Sequence, residues 1–178
     1  MGYYFNKGEK IMKKLALLLV IFMVMGAVFA ESASLSANDL EVETLTTLKE
    51  IDGFKLYGTE AKAIDIQEID ERTAPDGEIF NLRIKLNGTG KTDQLCIGFS
   101  AKKGQKVTVY LNSSSKTDER VLNLYTPESK DALASIPAPP ATADNTTGMG
   151  TFTIPYDGDF LIGSANKGIY VYAIVIED

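Results

Sequence analysis

The chain of 178 residues has no histidine, no tryptophan and one cysteine, Cys96. The absence of histidine removes the commonest general base, the commonest metal ligand and every nucleophile that depends on a neighbouring imidazole. A single cysteine cannot form an intramolecular disulfide, so the fold must depend on its hydrophobic core. The strand-like run around Cys96 predicts a small buried side chain rather than a reactive thiol. We therefore expect a protein that is not an enzyme, and chemistry based on carboxylates alone is the remaining catalytic alternative.

The N-terminal part has the layout of an export signal. A basic start at Lys13 and Lys14 precedes the uncharged, mostly aliphatic run 15–29. This arrangement is typical of a secretory signal peptide of bacterial type over residues 12–30, with cleavage before Glu31. A membrane anchor is the alternative, but the run is shorter than the ~20 apolar residues that span a bilayer. We predict export to the periplasm, the cell surface or the medium, without a lasting membrane anchor.

Residues 1–11 are interpreted as a miscalled start, because Gly8-Glu9-Lys10 can be encoded by a purine-rich ribosome-binding sequence. The predicted organisation is then a miscalled start over 1–11, a signal peptide over 12–30, an N-terminal arm over 31–44 and one domain over 45–178. Residues 1–30 hold four of the 18 basic side chains and one of the 24 acidic ones, so the remainder has a net charge of −9. That charge repels phosphate backbones and argues against a nucleic-acid partner.

From residue 51 onward, short apolar runs alternate with polar positions and end at glycine, asparagine or aspartate. This pattern has the period of half-buried strands and predicts an all-β antiparallel sandwich. Residues 40–48 are ambiguous between a helical turn and an edge strand. Residues 137–150 predict a long surface loop. The predicted strands are 54–57, 64–66, 80–86, 95–99, 107–111, 121–125, 132–136, 152–154, 160–162 and 169–176. The charged residues after 64–66 are interpreted as a polar turn.

The order of these segments is more specific than any single one. The series runs through DGFKLY at 52–57, RIKLNGTG at 83–90, IGFSAKKG at 97–104, VTVY at 107–110, RVLNLY at 120–125, DGDFLIGS at 157–164 and GIYVYAI at 168–174. It resembles the jelly-roll accessory domain found beside the catalytic domains of bacterial pectate lyases and related polysaccharide-degrading enzymes. The resemblance implies a jelly-roll β-sandwich over about 45–178 that binds carbohydrate without catalysis. This chain carries no attached catalytic domain, and it lacks the tryptophan that sugar-binding platforms often use.

The strand at 80–86 offers one set of candidate ligand-binding residues. Its period-2 alternation places Phe80 on an apolar face with Leu82, Ile84 and Leu86, and it places polar side chains on the other face. Planar polar groups bind adjacent sugar hydroxyls, and a guanidinium can also pair with a uronate carboxylate. An ordinary solvated strand face is the alternative. The predicted polar contacts are Asn81, Arg83 and Lys85.

Tyrosines offer the aromatic surface that a sugar ring requires. Tyr170 and Tyr172 are two residues apart on one predicted strand, and Tyr110 belongs to another strand. If the three rings share a sheet face, they form a stacking platform. The alternative is that they cap the core and keep only their hydroxyls at the surface. We predict Tyr110, Tyr170 and Tyr172 as the stacking residues.

No cofactor and no catalytic residue are predicted. Asp157-Gly158-Asp159 and Asp76-Gly77-Glu78 cluster carboxylates that a structural calcium ion would favour, but Asp-Gly is also a common turn sequence. The expected partner is a polysaccharide or oligosaccharide, either neutral or acidic. The alternative function is a periplasmic or surface scaffold that contacts a protein through a sheet edge or the 137–150 loop.

Overall fold

The computed structural model describes residues 32–178, so the predicted miscalled start and signal peptide lie outside the described residues. Residues from Glu31 to Asp178 cluster as one compact unit. Within the described range, no helix is long and apolar enough to cross a membrane. The strands are β1 (Ala33–Ser36), β2 (Glu43–Leu45), β3 (Leu48–Ile51), β4 (Phe54–Tyr57), β5 (Ile64–Thr73), β6 (Ile79–Leu86), β7 (Cys96–Ala101), β8 (Lys106–Ser113), β9 (Arg120–Thr126), β10 (Ser129–Ala138), β11 (Gly148–Thr153), β12 (Gly158–Ser164) and β13 (Ile169–Glu177), with one 3-10 turn at Ala37–Asp39.

The strands form two antiparallel sheets. The larger sheet has the order β11-β8-β13-β6-β5-β2, and β1 pairs with the second half of β13. The smaller sheet has the order β10-β9-β12-β7-β4-β3. From β6 to β9 each successive strand lies in the opposite sheet, as in a sandwich whose strands cross repeatedly between layers. The predicted all-β antiparallel jelly-roll sandwich is confirmed.

The core lies between the two sheets and follows the alternation read from the sequence. In β8, Val107, Val109 and Leu111 are fully buried and face the smaller sheet, while Thr108 and Tyr110 between them are half-buried on the outer face. Branched aliphatic side chains suit this position because they pack against the pleated surface of a facing sheet. The same alternation makes the outer face of the larger sheet the place where polar side chains collect.

Some boundaries differ from the sequence-based expectations. β5 continues to Thr73 through a stretch predicted as a polar turn, with a register shift between Glu68 and Arg72. The predicted loop is shorter than 137–150, because β10 extends to Ala138 and β11 begins at Gly148. The segment predicted as an N-terminal arm contributes β1 and β2 to the larger sheet.

The predicted shared face of Phe80 and Ile84 is wrong. The backbone N–H groups of Asn81 and Leu82 both donate to Asn38 Oδ1, at 2.9 and 3.1 Å, and Asn38 Nδ2 donates to the Ile79 carbonyl at 2.8 Å. Two successive N–H groups directed at one acceptor interrupt the alternation of the strand. Phe80 consequently joins a separate aromatic cluster, whereas Ile84 stays in the main core.

Candidate functional site

The outer face of the larger sheet, called here the open face, carries a row of polar side chains across neighbouring strands. Lys85 on β6 lies opposite Tyr170 on β13 and opposite Asp65 on β5. Arg83 lies opposite Gln67, one pleat further along the same two strands. Because residues two apart on a strand share a face, the four polar side chains of β5 and β6 form a compact patch.

Arg83 is the centre of this patch. Its Nε and Nη2 atoms donate to Gln67 Oε1 at 3.2 and 2.9 Å, and its guanidinium carbon lies 3.9 Å from the centre of the Tyr170 ring. The amide and the ring hold the guanidinium by two different interactions, a forked hydrogen bond and a cation–π contact. Within residues 32–178, Nη1 has no hydrogen-bond partner, and the Arg83 side chain lines the adjoining cleft.

Lys85 is paired more loosely. Its Nζ lies 3.9 Å from Asp65 Oδ2, and Asn87 Nδ2 donates to the same oxygen at 3.1 Å. Thr44 Oγ1 donates to the other Asp65 oxygen at 3.1 Å. The Asp65 carboxylate therefore contacts Thr44, Lys85 and Asn87. Lys85 retains N–H groups that can donate to a further acceptor.

The loop 139–147 crosses the open face and is held at both ends. On the β8 side, Asn112 Nδ2 donates to the carbonyls of Pro139 and Pro140, each at 3.3 Å. On the β5 side, Arg72 donates from Nη1 to the Thr146 carbonyl at 3.0 Å and from Nη2 to the Thr142 carbonyl at 3.3 Å. The backbone of the loop also pairs with Ser113 of β8 at one end and with Thr73 of β5 at the other, so the loop crosses over β13 and β6.

A cleft of about 530 Å³ opens between this loop and β5, and we call it the Arg83 cleft. Two guanidinium groups and two exposed carboxylates meet there, so it offers donors and acceptors in balance. A volume of this size accommodates a small ligand. Its lining residues are Glu68, Ile69, Asp70, Arg72, Arg83 and Asn145.

Arg72 is a site residue that the sequence analysis missed. Arg72 follows the register shift in β5. The face of the sheet on which it lies cannot be found by counting from Gln67, because residues 69–71 do not keep a period of two. The available signal was the run of charges at 68–72 between two strand-like segments, which the analysis interpreted as a turn. Glu68 and Asp70 were missed for the same reason.

Tyr172 is wrong as a stacking residue. Its exposed fraction is 0%, and its hydroxyl donates to Asn112 Oδ1 at 3.0 Å. The register of β13 against β8 shifts between Val171 and Ala173, so Tyr172 is the extra residue of an irregularity and lies beneath the covering loop. Burial raises the pKa of Tyr172 to about 12. Its ring stacks on Phe80 with centroids 5.5 Å apart.

Two further predicted residues do not line the Arg83 cleft. Tyr110 is half-buried against Phe80, and its hydroxyl donates to Asp76 Oδ2 at 2.5 Å. Burial, followed by the hydrogen bond to Asp76, raises the pKa of Tyr110 to about 12, and the same bond lowers the pKa of Asp76. Asn81 is exposed in a neighbouring cavity that shares Glu68 with the Arg83 cleft. The structure therefore brings together Arg83, Lys85 and Tyr170, and it packs Tyr110 and Tyr170 against the same aromatic cluster of Phe80 and Tyr172.

The carboxylates considered for calcium contact protein donors. Asp157 Oδ1 accepts from the Lys103 N–H at 2.7 Å, and Asp159 Oδ1 accepts from Ser100 Oγ at 2.5 Å. In the part of the chain that the structure describes, no group of three or more acidic, cysteine or histidine residues is placed to hold a metal ion. A structural calcium ion, considered as an alternative to a plain turn, stays untested, and these contacts do not support it.

No family model matches this chain, and no curated protein sequence matches it. Solved structures do match, at low similarity. A family 35 carbohydrate binding module from Clostridium thermocellum is 10% identical with a TM-score of 0.42, covering 83% of this chain and 98% of that one. The CBM22-1 xylan-binding domain of Xyn10C from Paenibacillus barcinonensis is 11% identical with a TM-score of 0.44, covering 82% and 92%.

A third match is the K1 cleaved adhesin domain of Lys-gingipain from Porphyromonas gingivalis, which is 12% identical with a TM-score of 0.46 and covers 82% of this chain and 97% of that chain. The structural neighbours thus include carbohydrate-binding modules, the kind of domain that the sequence resemblance names. At these identities and scores, the comparison assigns no ligand and no site to this chain.

Proposed function

We propose that this protein is an exported, non-catalytic carbohydrate-binding domain whose ligand occupies the Arg83 cleft. The observation that carries the proposal is the oriented guanidinium of Arg83. Gln67 and the Tyr170 ring hold the guanidinium in place, and Arg83 lines a cleft that also contains Arg72. A planar donor fixed in advance binds hydroxyl pairs at a lower entropic cost than a mobile side chain does.

The balance of charge in the cleft favours a neutral sugar. Glu68 and Asp70 supply acceptors, and Arg72 and Arg83 supply donors. A sugar hydroxyl both donates and accepts, so it matches such a mixed lining. A uronate chain would meet the two carboxylates as well as the net negative charge of the domain. We therefore place neutral polysaccharides ahead of pectic ones.

The role of Tyr170 differs from that of a bare stacking platform. Arg83 covers the ring with its guanidinium, so the two side chains form one composite surface. The ligand then contacts the edge of that surface rather than a free aromatic face. Removing either partner disturbs the other, because the cation–π contact helps to orient the guanidinium.

The test is binding of the purified full chain to a panel of neutral and pectic polysaccharides. We expect binding to one neutral class and a loss of about tenfold or more in Arg83→Ala, because a hydrogen bond from a charged donor contributes about 1.5–3 kcal/mol. The matched control is Lys55→Ala, which removes one exposed positive charge from the other sheet. Equal binding by wild type and Arg83→Ala would remove the proposed site. A folded protein that binds no glycan would favour the protein-contacting scaffold instead.

A carboxylate-based hydrolase is the second candidate, because Glu68 and Asp70 line the same cleft. A glycosidase needs one carboxyl group kept protonated by an apolar surrounding. Both side chains are exposed, which does not provide that surrounding. We expect no new reducing ends when the bound polysaccharide is incubated with the protein. Their appearance, and their loss in Glu68→Gln, would establish catalysis.

Export is the remaining part of the proposal, and it depends on the sequence of residues 12–30 alone. We expect the N-terminal residue of the protein recovered from the periplasm or the medium to be Glu31. N-terminal sequencing measures this directly. Recovery of the uncleaved chain in the membrane fraction would instead support an anchor.

A further inference from the structure

Five strands among residues 32–178 have an open edge, and one of them lacks the usual protection. An edge strand exposes unpaired backbone groups, which natural proteins shield with charges, proline or shortness. β11, with the sequence GMGTFT, has no charge and no proline over its six residues. The other edges are β1, which is four residues long, β2, which is three residues long and contains Glu43, β3 with Lys49 and Glu50, and β10 with Lys130, Asp131 and Pro137.

The hydrogen-bonding pattern between β11 and β8 shows which backbone groups of β11 face outward. The Ile154 N–H donates to the Gln105 carbonyl at 2.9 Å, just beyond the strand. Antiparallel ladders alternate between bonded and non-bonded pairs, so Gly148, Gly150 and Phe152 exchange bonds with β8. The N–H and C=O groups of the intervening residues point away from the sheet. No other segment among residues 32–178 forms a backbone hydrogen bond with that edge.

We propose that β11 pairs with β11 of a second copy of this chain, antiparallel, about a two-fold axis at Thr151. In this register Thr151 lies opposite Thr151 of the partner subunit, and Met149 lies opposite Thr153 of the partner subunit. Each of these pairs directs its outward N–H and C=O groups at the other. In a two-fold arrangement each β11 pairs with an identical strand that runs in the opposite direction. Because β11 has no charged residue, this pairing places no like charges opposite each other.

The side chains of β11 suit this arrangement. Met149 is 46% exposed although it is large and apolar, and pairing covers it with the partner's strand. Gly150 on the inner face already accommodates Ile136, because a Cβ there would lie 2.8 Å from Ile136 Cδ1. Gly150 therefore lets Ile136 pack close to the inner face of β11, and the outer edge of β11 can accept a further strand of the larger sheet.

The pairing would join the larger sheets of both copies into one. A two-fold axis perpendicular to the sheet leaves both open faces on the same side, so both Arg83 clefts would face the same surface. If the proposed carbohydrate function holds, two clefts on one face give bivalent binding to a polymer. The dimer itself does not depend on that function.

The first measurement is sedimentation of the full chain, as processed by its host, over a wide range of concentrations without glycan. We expect a reversible dimer, and we expect Thr151→Pro to weaken association about tenfold or more, since it removes an outward N–H from both strands. Proline is tolerated at an edge position whose N–H bonds nothing within the subunit. A wild-type monomer at every concentration would overturn the proposal.

A matched pair of substitutions separates the edge from general charge effects. Met149→Lys adds a charge to β11, and Leu133→Lys adds the same charge to the exposed part of β10. We expect only Met149→Lys to weaken the dimer. Equal effects, or a dimer that persists in Met149→Lys, would place the interface elsewhere. This pair also decides the outcome if Thr151→Pro fails to fold.

The register has its own test. Thr151→Cys places two thiols opposite each other across the axis, within the Cα separation that a disulfide allows. Thr153→Cys places them several residues apart. The native Cys96 is buried and does not compete. We expect oxidation to cross-link Thr151→Cys and to leave Thr153→Cys monomeric under denaturing electrophoresis. The reverse result would contradict this register.

Discussion

The outer faces of the two sheets differ in how a loop covers each of them. On the open face, the loop 139–147 pairs by its backbone with Ser113 and Thr73 at its two ends, Arg72 binds two of its carbonyls, and the Arg83 cleft remains beside it. On the smaller sheet, the loop 87–95 packs directly on the strands, with the Gly90 N–H donating to the Ser164 carbonyl at 2.8 Å. We call this second surface the closed face.

Two glycines make the closed face possible. A Cβ on Gly90 would lie 2.8 Å from Gly163 Cα, and a Cβ on Gly163 would lie 2.6 Å from the Tyr125 hydroxyl oxygen. The missing side chains let the backbone of the loop reach the strand and seal Cys96 and Leu161 below it. The comparison teaches that a close backbone approach without intervening side chains closes a sheet face, whereas a loop bonded to the strands at its two ends covers a face and leaves room for a ligand.

Gly163→Ala should produce the largest effect on stability. The added methyl group has no space between the Tyr125 hydroxyl and Gly90, and overpacking of this kind costs about 3 kcal/mol. Urea denaturation measures the loss in the free energy of unfolding. The matched control is Gly158→Ala in the same strand. The added Cβ would lie 3.9 Å from the nearest atoms, which belong to Tyr156, and we expect almost no change there. Similar losses in both variants would show that the close approach is not what matters.

Tyr172→Phe should cost about 2 kcal/mol, because it leaves the buried Asn112 Oδ1 without its donor beneath the open face. On the closed face, Tyr125→Phe removes a bond of 3.1 Å to the Lys91 carbonyl, which belongs to a surface loop. Water can replace that donor, so we expect a smaller loss of about 1 kcal/mol. Equal losses in denaturation experiments would mean that both faces are equally accessible to water.

Alkaline pH should weaken the fold through the buried tyrosines. An unfolded tyrosine loses its proton near pH ~10, whereas burial raises the pKa of Tyr172 to about 12 and raises the pKa of Tyr125 further. The stabilisation is complete below pH ~10. Above that value the unfolded chain binds fewer protons than the folded one, so stability falls as pH rises toward ~12, by at most about 1.4 kcal/mol per unit for each tyrosine.

The measurement is the urea midpoint at several pH values between ~9 and ~11. We expect a shallower decline in Tyr172→Phe than in the wild type, because one of the titrating groups has been removed. An unchanged slope would mean that Tyr172 ionises in the folded protein as readily as in the unfolded chain. The comparison with Tyr125→Phe then tells which face governs the alkaline limit.

Arg72→Ala should have the smallest effect on global stability, under about 1 kcal/mol, because the guanidinium is partly hydrated and binds only two loop carbonyls. Its local effect should be larger. We expect faster hydrogen exchange at Thr73 and Thr147, because the Thr73 N–H donates to the Asn145 carbonyl and the Thr147 N–H donates to the Thr73 carbonyl beside this arginine. Arg72→Lys should restore only part of the protection. Unchanged exchange in Arg72→Ala would show that the loop supports itself.

The sequence analysis predicted the strands that alternate simply. Phe54–Tyr57 was predicted residue for residue, and the β8 and β13 cores follow the alternation that the analysis used. Arg83 and Lys85 were predicted to share one face of their strand, and the structure places Tyr170 of the neighbouring strand beside them. These predictions succeeded because a period of two is a local property that neighbouring strands do not alter.

The failures occur where long-range contacts break the period. Phe80 changes face because Asn38, more than forty residues earlier, binds two successive N–H groups. Tyr172 becomes buried because β13 shifts register against β8 and the loop from β10 crosses above it. The charged part of β5 was interpreted as a turn because its local strand pattern is poor. It is a strand because it pairs with β6. None of these partners can be identified from the surrounding residues alone.

Asn38 also sets a limit on N-terminal processing. Its side-chain amide binds the backbone of β6 where that strand no longer pairs with β13, as a neighbouring strand would. β1, which precedes Asn38 in the chain, pairs with the second half of β13. A cut beyond Asn38 removes a strand and the amide together, and it exposes the edges of β6 and β13 at once. The fold therefore has a shortest viable N-terminus, and that terminus lies ahead of β1.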